Sequence, residues 1–223
     1  MTMIYNNLLF QEGCTLNMAM LSQFHDFGAA IILSILAFVG GMTYWIITNT
    51  YLSSTAISVV LEIVWTIIPM FILVTLALPS MYCLYTLEEM VTTLSFKAIG
   101  HQWYWSYEME TPSKTTLEFN SYMIKDTKNS YRLLDVDARM VLPYRKVVKT
   151  LVTSADVLHC WTVPALGVKA DAVPGRLNQL TYMVIRPSIL YGQCSEICGA
   201  NHSFMPIVIE AIPEKKFWDW LTP

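Results

Sequence analysis

The run CSEICGANHSFM, residues 194–205, places two thiols, an imidazole and a thioether within twelve consecutive residues. A second imidazole, His159, lies 35 residues before the first thiol, Cys194, in the triplet HCW. Soft sulfur ligands combined with imidazoles, drawn from one short loop and one distant strand, are typical of copper electron-transfer sites. Gly199 directly follows the second thiol, Cys198, and permits a backbone bend that a β-carbon would resist. The run therefore predicts a copper site on a loop of a β-domain.

The second thiol favours a dinuclear copper centre over a mononuclear one. A mononuclear blue-copper site needs one Cys, two His and a weak Met contact, whereas two thiolates can bridge two metals. A disulfide between Cys194 and Cys198 is an alternative in an extracytoplasmic domain. A structural zinc would use Cys and His but gains nothing from Met205. The spacing excludes a redox Cys-x-x-Cys motif, and copper is the favoured metal.

Lys and Arg are absent from the first 96 positions, and all 14 of them lie from Lys97 onward. Two apolar stretches in this part, 27–48 and 63–85, are each long enough to cross a bilayer as a helix, which takes about 20 residues. A signal peptide would have a basic start and one short apolar stretch, so we predict a transmembrane hairpin. The predicted segments are an N-terminal segment 1–26, helix 1 at 27–48, a connecting loop 49–61 and helix 2 at 62–86.

The remaining residues, 97–223, have the composition of an all-β domain. Runs of β-branched and aromatic residues alternate there with Asp, Asn, Pro and Gly. The strand-like runs are 98–108, 116–124, 131–137, 146–153, 179–186 and 204–211. Several short strands at this spacing predict a Greek-key sandwich or barrel, closed by a short helix at 213–221.

Three long motifs resemble one protein family. GQCSEICGANHSFMPI (192–207), DVLHCWTVPALGVKADAVPGRLNQ (156–179) and GHQWYWSYE (100–108) occur together. They closely resemble subunit II of the haem–copper cytochrome c oxidases, in its mitochondrial form. The resemblance covers essentially the whole chain. It implies a two-helix transmembrane hairpin followed by an all-β, cupredoxin-like Greek-key domain.

The resemblance implies a dinuclear copper centre of the CuA type, with no haem in this chain. Cys194 and Cys198 would bridge both coppers. His159 and Met205 would complete one copper, and His202 and the backbone carbonyl of Glu196 the other. The Glu196 carboxylate would also point towards a Mg²⁺ at the contact with the catalytic subunit, since carboxylate oxygens suit this hard cation.

The function implied by the resemblance is that of the subunit where electrons enter a respiratory-chain oxidase. It would accept them from reduced cytochrome c and pass them to haem in catalytic subunit I. This electron transport would support oxygen reduction to water and proton pumping, so the whole enzyme would be a translocase. Its other partners would be further oxidase subunits and the lipid bilayer, and no nucleic acid is expected. The implied location is the mitochondrial inner membrane, with both termini in the intermembrane space and loop 49–61 on the matrix side.

Two further residues receive roles only through the resemblance. Trp103 would be the residue through which electrons enter, although it could instead be a strand aromatic that packs the core. If 98–108 is one strand, alternation places Trp103 and Trp105 on the same face. Glu62, at the edge of helix 2, would lie at the mouth of a proton path, but a carboxylate there could also merely mark the lipid boundary.

Cytochrome c is basic, so the resemblance implies an acidic docking surface that steers encounter. The candidate acids are Glu108, Glu110, Glu118, Asp135 and Asp156. The segment METPSKTTLE (109–118) has fewer acids than the family usually has here, so the expected patch is thin. Cys160 stands where the family usually has Ser, and alternation in a strand turns it away from His159. We interpret it as a small buried residue.

Two other classes of protein compete with this interpretation. One is a structural oxidase subunit without copper, as in the quinol oxidases, and the intact donor set argues against it. The other is a copper chaperone or a mononuclear cupredoxin, against which the second Cys and the membrane hairpin both count. The copper stoichiometry discriminates between all three.

Overall fold

Two long apolar helices come first in the structure, a computed structural model that describes residues 10–50, 58–87, 91–125 and 130–222. They are α1 (Leu16–Thr48) and α2 (Val59–Thr86). Both are long and apolar enough to cross a membrane. The 28 residues of α2 span about 42 Å at 1.5 Å per residue, more than the roughly 30 Å of a hydrocarbon core. Residues 51–57 of the predicted connecting loop and residues 1–9 of the N-terminal segment lie outside the described ranges.

Both helices begin before the boundaries predicted from apolar composition. α1 starts at Leu16 and not at residue 27, because the Thr15 hydroxyl accepts a hydrogen bond from the Met18 amide at 3.0 Å and so caps the helix. α2 starts at Val59, where the Ser58 hydroxyl accepts from the Leu61 amide at 3.4 Å. The apolar run marks the part of a helix that suits lipid, whereas the capping residue marks where the helix begins.

A β-domain with a short closing helix forms the second unit. Its strands are β1 (Leu94–His101), β2 (Tyr104–Glu110), β3 (Thr116–Ser121), β4 (Met140–Pro143), β5 (Val147–Ser154), β6 (His159–Val163), β7 (Val168–Ala172), β8 (Asn178–Met183), β9 (Ser188–Gln193) and β10 (Pro206–Ile212). A helix, α3 (Glu214–Leu221), follows them. Short 3₁₀ turns occupy Pro164–Leu166 and His202–Phe204.

Three sheets surround one aromatic core. The first has the order β3-β2-β1-β5-β8, the second β4-β10-β9, and β6 pairs with β7. Buried residues alternate along β5, as a sheet with one face on the core requires. Trp105, Tyr107, Trp161 and Tyr182 are almost fully buried and fill the centre. Because β1 runs parallel to β5, the ends of both strands reach the same edge of the domain.

Two predicted strands were wrong. The run 98–108 is not one strand, because a turn at Gln102–Trp103 separates β1 from β2. Trp103 and Trp105 therefore do not share a face: Trp105 is completely buried, while Trp103 is only partly buried. The run 131–137 forms turns and one isolated bridge between Val136 and Met123. Strand-like composition did not reveal either turn, since neither contains Gly or Pro.

The segment before α1 packs onto the β-domain. The Cys14 amide donates to the Ala165 carbonyl at 2.7 Å, and the Thr15 hydroxyl donates to the Leu166 carbonyl at 2.7 Å. Cys14 and Met18 are buried. The predicted start of the domain at residue 97 also falls inside β1. The domain therefore needs residues from both sides of the hairpin sequence, which chain order alone does not indicate.

Candidate metal centre

Four elements bring the predicted donors to one edge of the β-domain. His159 is the first residue of β6, and Cys194 follows the last residue of β9. The pairing of Gln193 with Pro206 joins β9 to β10, so the loop between them closes on itself. The Ser195 amide donates to the Cys160 carbonyl at 3.2 Å and fastens this loop to β6. Strand pairing thus positions ligands that are far apart in sequence.

The predicted donor atoms lie close around the two sulfurs. Cys194 Sγ and Cys198 Sγ are 4.0 Å apart. Cys194 Sγ lies 3.9 Å from His159 Nδ1 and 3.4 Å from the Glu196 carbonyl oxygen. Cys198 Sγ lies 3.4 Å from His202 Nδ1 and 3.5 Å from Met205 Sδ. Each sulfur therefore lies beside one predicted donor for the first copper and one predicted donor for the second, as a bridging thiolate requires.

These residues fit a copper pair. Cys194, Cys198, Met205 and His159 are all at least nine-tenths buried, so water is largely excluded from these four donors. The sulfur separation of 4.0 Å is about twice the length of a disulfide bond, and both cysteines are free. The thioether of Met205 faces the cluster, which a structural zinc site would not use. Two soft thiolates, two imidazoles and a weak thioether are suited to copper.

The two thiols differ in acidity because they are neighbours. Burial raises the pKa of Cys198, and the adjacent Cys194 thiolate raises it further. Burial also opposes ionisation of Cys194, but hydrogen bonds with His159 and with nearby backbone groups outweigh it and lower the pKa of that thiol. The pair therefore loses its second proton much less readily than its first, because the first thiolate raises the pKa of the remaining thiol.

We predict that metal binding releases the Cys198 proton. Because the ligand is the thiolate, affinity for Cu(I) should rise as the pH rises, by about tenfold per pH unit for each proton released. The slope should persist through neutral pH, since the pKa of Cys198 is raised. Anaerobic calorimetry in buffers of different ionisation enthalpy measures the release.

The control for this titration is Cys160→Ser. Cys160 Sγ contacts Thr162 Oγ1 at 3.4 Å and is not among the clustered donors. Its removal should leave proton release unchanged. If the wild-type chain bound Cu(I) without releasing a proton, Cys198 would not be a ligand.

His159 is fixed by three neighbours that the sequence did not indicate. Its Nε2 lies 2.8 Å from Asp156 Oδ1, and its ring packs edge-on against Trp105 with centroids 6.0 Å apart. Gly100 faces the imidazole so closely that a β-carbon there would lie 2.8 Å from His159 Cδ2. Burial lowers the pKa of His159, but hydrogen bonds with Cys194 and Asp156 raise it above its usual value.

Trp103 lies between the surface and the sulfur loop. Its indole Nε1 donates to the Cys198 carbonyl at 3.2 Å. The side-chain amide of Gln102 donates to the same carbonyl at 2.9 Å. Gly199, with a φ of +115°, approaches both side chains, and a β-carbon at this position would lie 3.2 Å from each of them. The glycine thus lets the indole touch the loop that contains the copper donors.

The predicted docking acids occupy different environments. Glu108 pairs with Lys97 across β1 and β2, and Glu118 stands directly opposite Glu108 on β3. Glu110 is exposed at the end of β2. Asp135 was wrongly predicted to face a partner: it is only 5% exposed, and it accepts a hydrogen bond from the Tyr131 amide at 2.9 Å. The turn at 132–134 brings the Tyr131 amide back to the Asp135 carboxylate, and the acid is buried there.

The remaining predicted site residues are two glutamates. Glu62 is exposed in the first turn of α2. The Glu196 side chain is partly exposed, while its carbonyl faces Cys194. Glu196 can thus present its backbone carbonyl and its carboxylate to different metal ions.

Two family descriptions match the chain. The periplasmic domain of cytochrome c oxidase subunit II matches residues 94–212. The transmembrane domain of the same subunit matches residues 4–83. Curated relatives include cytochrome c oxidase subunit 2 of Periplaneta americana, 49% identical over 220 residues, with 96% of each chain covered. The corresponding protein of Drosophila melanogaster is 47% identical over 221 residues, covering 97% of this chain and 96% of the relative.

Solved structures show the same β-domain. The periplasmic domain of subunit II (CoxB) of Bradyrhizobium japonicum is 46% identical with a TM-score of 0.55, covering 59% of this chain and 93% of that one. A second match is a chain from the structure of a mixed disulfide intermediate between a thioredoxin-like protein and subunit II of cytochrome c oxidase. It is 43% identical with a TM-score of 0.53, and the match covers 60% of this chain and 92% of that one. The predicted fold class, two membrane-spanning helices followed by an all-β cupredoxin-like domain, is confirmed.

Proposed function

Because the chain belongs to the cytochrome c oxidase subunit II family, we propose that it accepts electrons from reduced cytochrome c at a dinuclear copper centre and passes them to haem in catalytic subunit I. The chain is a subunit of a haem–copper oxidase and contains the copper domain of that family. One observation supports the proposal above all: each of the two thiols lies beside one donor for each copper.

The proposed ligand assignment follows this arrangement. Cys194 and Cys198 would bridge the metals, His159 and Met205 would complete one copper, and His202 with the Glu196 carbonyl would complete the other. Bound there, two coppers would supply a redox couple in which one exchanged electron is shared between both metals.

The protein around these donors holds them in fixed positions and excludes water. The pairing of β9 with β10 fixes both ends of the loop, and His159 is confined by Gly100 and Trp105. Donors held by packing and hydrogen bonds would move little when the charge of the bound copper pair changes. Burial also keeps water away from the thiolates. Both effects favour rapid electron transfer.

Electrons would enter through Trp103 and reach the copper loop at Cys198. The contact between the indole Nε1 and the Cys198 carbonyl supports this route. Cytochrome c would dock over the indole, steered by the exposed acids Glu110 and Glu118 and by Glu108. Such charges accelerate encounter more than they tighten binding.

Further roles concern the rest of the oxidase. The Glu196 carboxylate would coordinate Mg²⁺ at the contact with subunit I, and its partial exposure supports this. Glu62 would lie at the mouth of a proton path on the matrix side. The chain has four His, two of which would bind copper, so we propose that it contains no haem. The relatives from insect species support a location in the mitochondrial inner membrane. Both termini would lie in the intermembrane space. The whole enzyme would pump protons across this membrane and so act as a translocase.

Copper content and electron paramagnetic resonance test the proposed function. The measurement should use the full chain in detergent, because Cys14 and Met18 contribute to the β-domain. We expect two coppers per chain and hyperfine structure from one electron shared between two nuclei. One copper with a mononuclear pattern would indicate a cupredoxin-like carrier, and a folded chain without copper would indicate a structural subunit. Either result would contradict the proposal.

A further inference from the structure

Asp156 lies between the end of β5 and the start of β6, and both oxygens of its carboxylate have hydrogen-bond partners. Oδ1 lies 2.8 Å from His159 Nε2 and accepts from the Val157 amide at 2.6 Å. Oδ2 accepts from the Gln102 amide at 2.7 Å. Ser154 Oγ lies 3.4 Å from Oδ1. The side chain is 33% exposed, but its oxygens are committed within the chain.

The hydrogen bond to Asp156 determines which nitrogen of His159 can bind metal. An ionised carboxylate only accepts hydrogen bonds, so Nε2 must be the nitrogen that bears the proton. In the neutral imidazole, the form that binds a metal, Nδ1 is then the unprotonated nitrogen, and it is Nδ1 that faces Cys194 at 3.9 Å. Histidines that bind metals commonly donate their other ring N–H to a carboxylate, which fixes the tautomer and the ring orientation.

The same carboxylate also reaches the turn that presents Trp103. Gln102 donates its backbone N–H to Asp156 and its side-chain amide to the Cys198 carbonyl. Trp103, the next residue, donates to that carbonyl as well. His159, Asp156, Gln102 and Cys198 therefore form a continuous chain of contacts around the donor cluster.

We propose that Asp156 is a positioning residue, which sets the tautomer of His159 and holds the Gln102–Trp103 turn against the copper loop. This role differs from the docking role suggested by its sequence context. A docking acid offers its charge to a partner, whereas the oxygens of Asp156 are used by three backbone and ring donors of its own chain. The proposal rests on the proposed function, because it requires His159 to be a copper ligand.

The test is Asp156→Asn in the assembled oxidase. The amide has nearly the same shape, but its NH₂ group cannot accept from His159 Nε2 while its oxygen accepts from Gln102. The tautomer that leaves Nδ1 free is then disfavoured. We expect a changed copper resonance spectrum and a 10- to 100-fold lower turnover at saturating cytochrome c, the usual range for loss of such a partner. The KM for cytochrome c should change little.

Asp219→Asn is the matched control, since it makes the same change from carboxylate to amide at an exposed position on α3. It should leave the copper spectrum and the maximal turnover at wild-type values. If Asp156→Asn behaved in the same way and changed only KM and its salt dependence, the positioning role would be overturned while the proposed function stood. A wild-type oxidase without a dinuclear spectrum would instead overturn the proposed function.

Asp156→Glu keeps the test decisive if the Asn variant does not assemble. Glutamate retains the charge but moves the carboxylate by one methylene group. A positioning role predicts a changed copper spectrum in this variant, because the distances to His159 and Gln102 change. A docking role predicts an unchanged spectrum and unchanged KM, since the charge is conserved, and that result would refute the inference.

Discussion

Replacing Cys198 with serine is expected to abolish the dinuclear copper centre. A serine hydroxyl does not ionise near neutral pH, so only Cys194 could bridge. Cys198 Sγ also lies 3.4 Å from His202 Nδ1 and 3.5 Å from Met205 Sδ, so the substitution removes the bridging thiolate beside one proposed donor for each copper. Copper should fall from two per chain to one or none. Oxidation of cytochrome c should fall by more than about 100-fold, since loss of an outer partner alone costs 10- to 100-fold.

Cys160→Ser provides the control for that loss. It makes the same chemical change to a buried thiol that contacts Thr162 and lies outside the donor cluster. Copper content by metal analysis, the resonance spectrum and cytochrome c oxidation should all stay near wild-type values in this variant. Normal copper content and normal oxidation in Cys198→Ser would refute the ligand assignment.

Trp103→Phe is expected to slow electron uptake from cytochrome c while leaving the copper centre intact. Phenylalanine keeps an aromatic ring in the turn but lacks the Nε1–H that donates to the Cys198 carbonyl at 3.2 Å. Without this bond the ring is free to move away from the copper loop. A misplacement of 1 Å can cost on the order of 100-fold in rate, so we expect a decrease of about 10- to 100-fold in stopped-flow oxidation of cytochrome c.

Trp218→Phe is the comparison for this variant. Trp218 is 40% exposed on α3, so its substitution changes an exposed indole without touching the copper loop. Its electron uptake should remain at the wild-type rate. If Trp103→Phe also oxidised cytochrome c at that rate, Trp103 would be a packing residue of the turn and electrons would enter elsewhere.

The residues of the donor cluster could be predicted to lie together because most of them are local in the sequence. Cys194, Cys198, His202 and Met205 all lie within twelve residues, and the preference of copper for sulfur and imidazole is a property of the side chains themselves. The two spans were visible for a similar reason, since transfer into lipid depends on composition. Their starting residues were not, because caps at Thr15 and Ser58 decide them.

The turn at Gln102–Trp103 was missed because its residues have strand-like composition. The aromatic residues 103–105 favour a strand by packing on a sheet. Gln102 and Trp103 instead donate hydrogen bonds to the Cys198 carbonyl, 95 or more residues away along the chain. That contact exists only once the sulfur loop and the end of β1 have come together. Long-range hydrogen bonding, and not local strand preference, therefore determines the conformation of this turn.

Asp135 and Asp156 mark the limit of what the sequence by itself determined. The sequence determined which donor side chains are available, the two apolar helices and the all-β class, because these follow from side-chain chemistry and composition. It presented both aspartates as surface acids. The tertiary structure buried Asp135 beneath a turn and placed Asp156 between His159 and Gln102. The physical reason is that the surroundings of a carboxylate are set by strands and loops paired across long sequence separations, which no local pattern records.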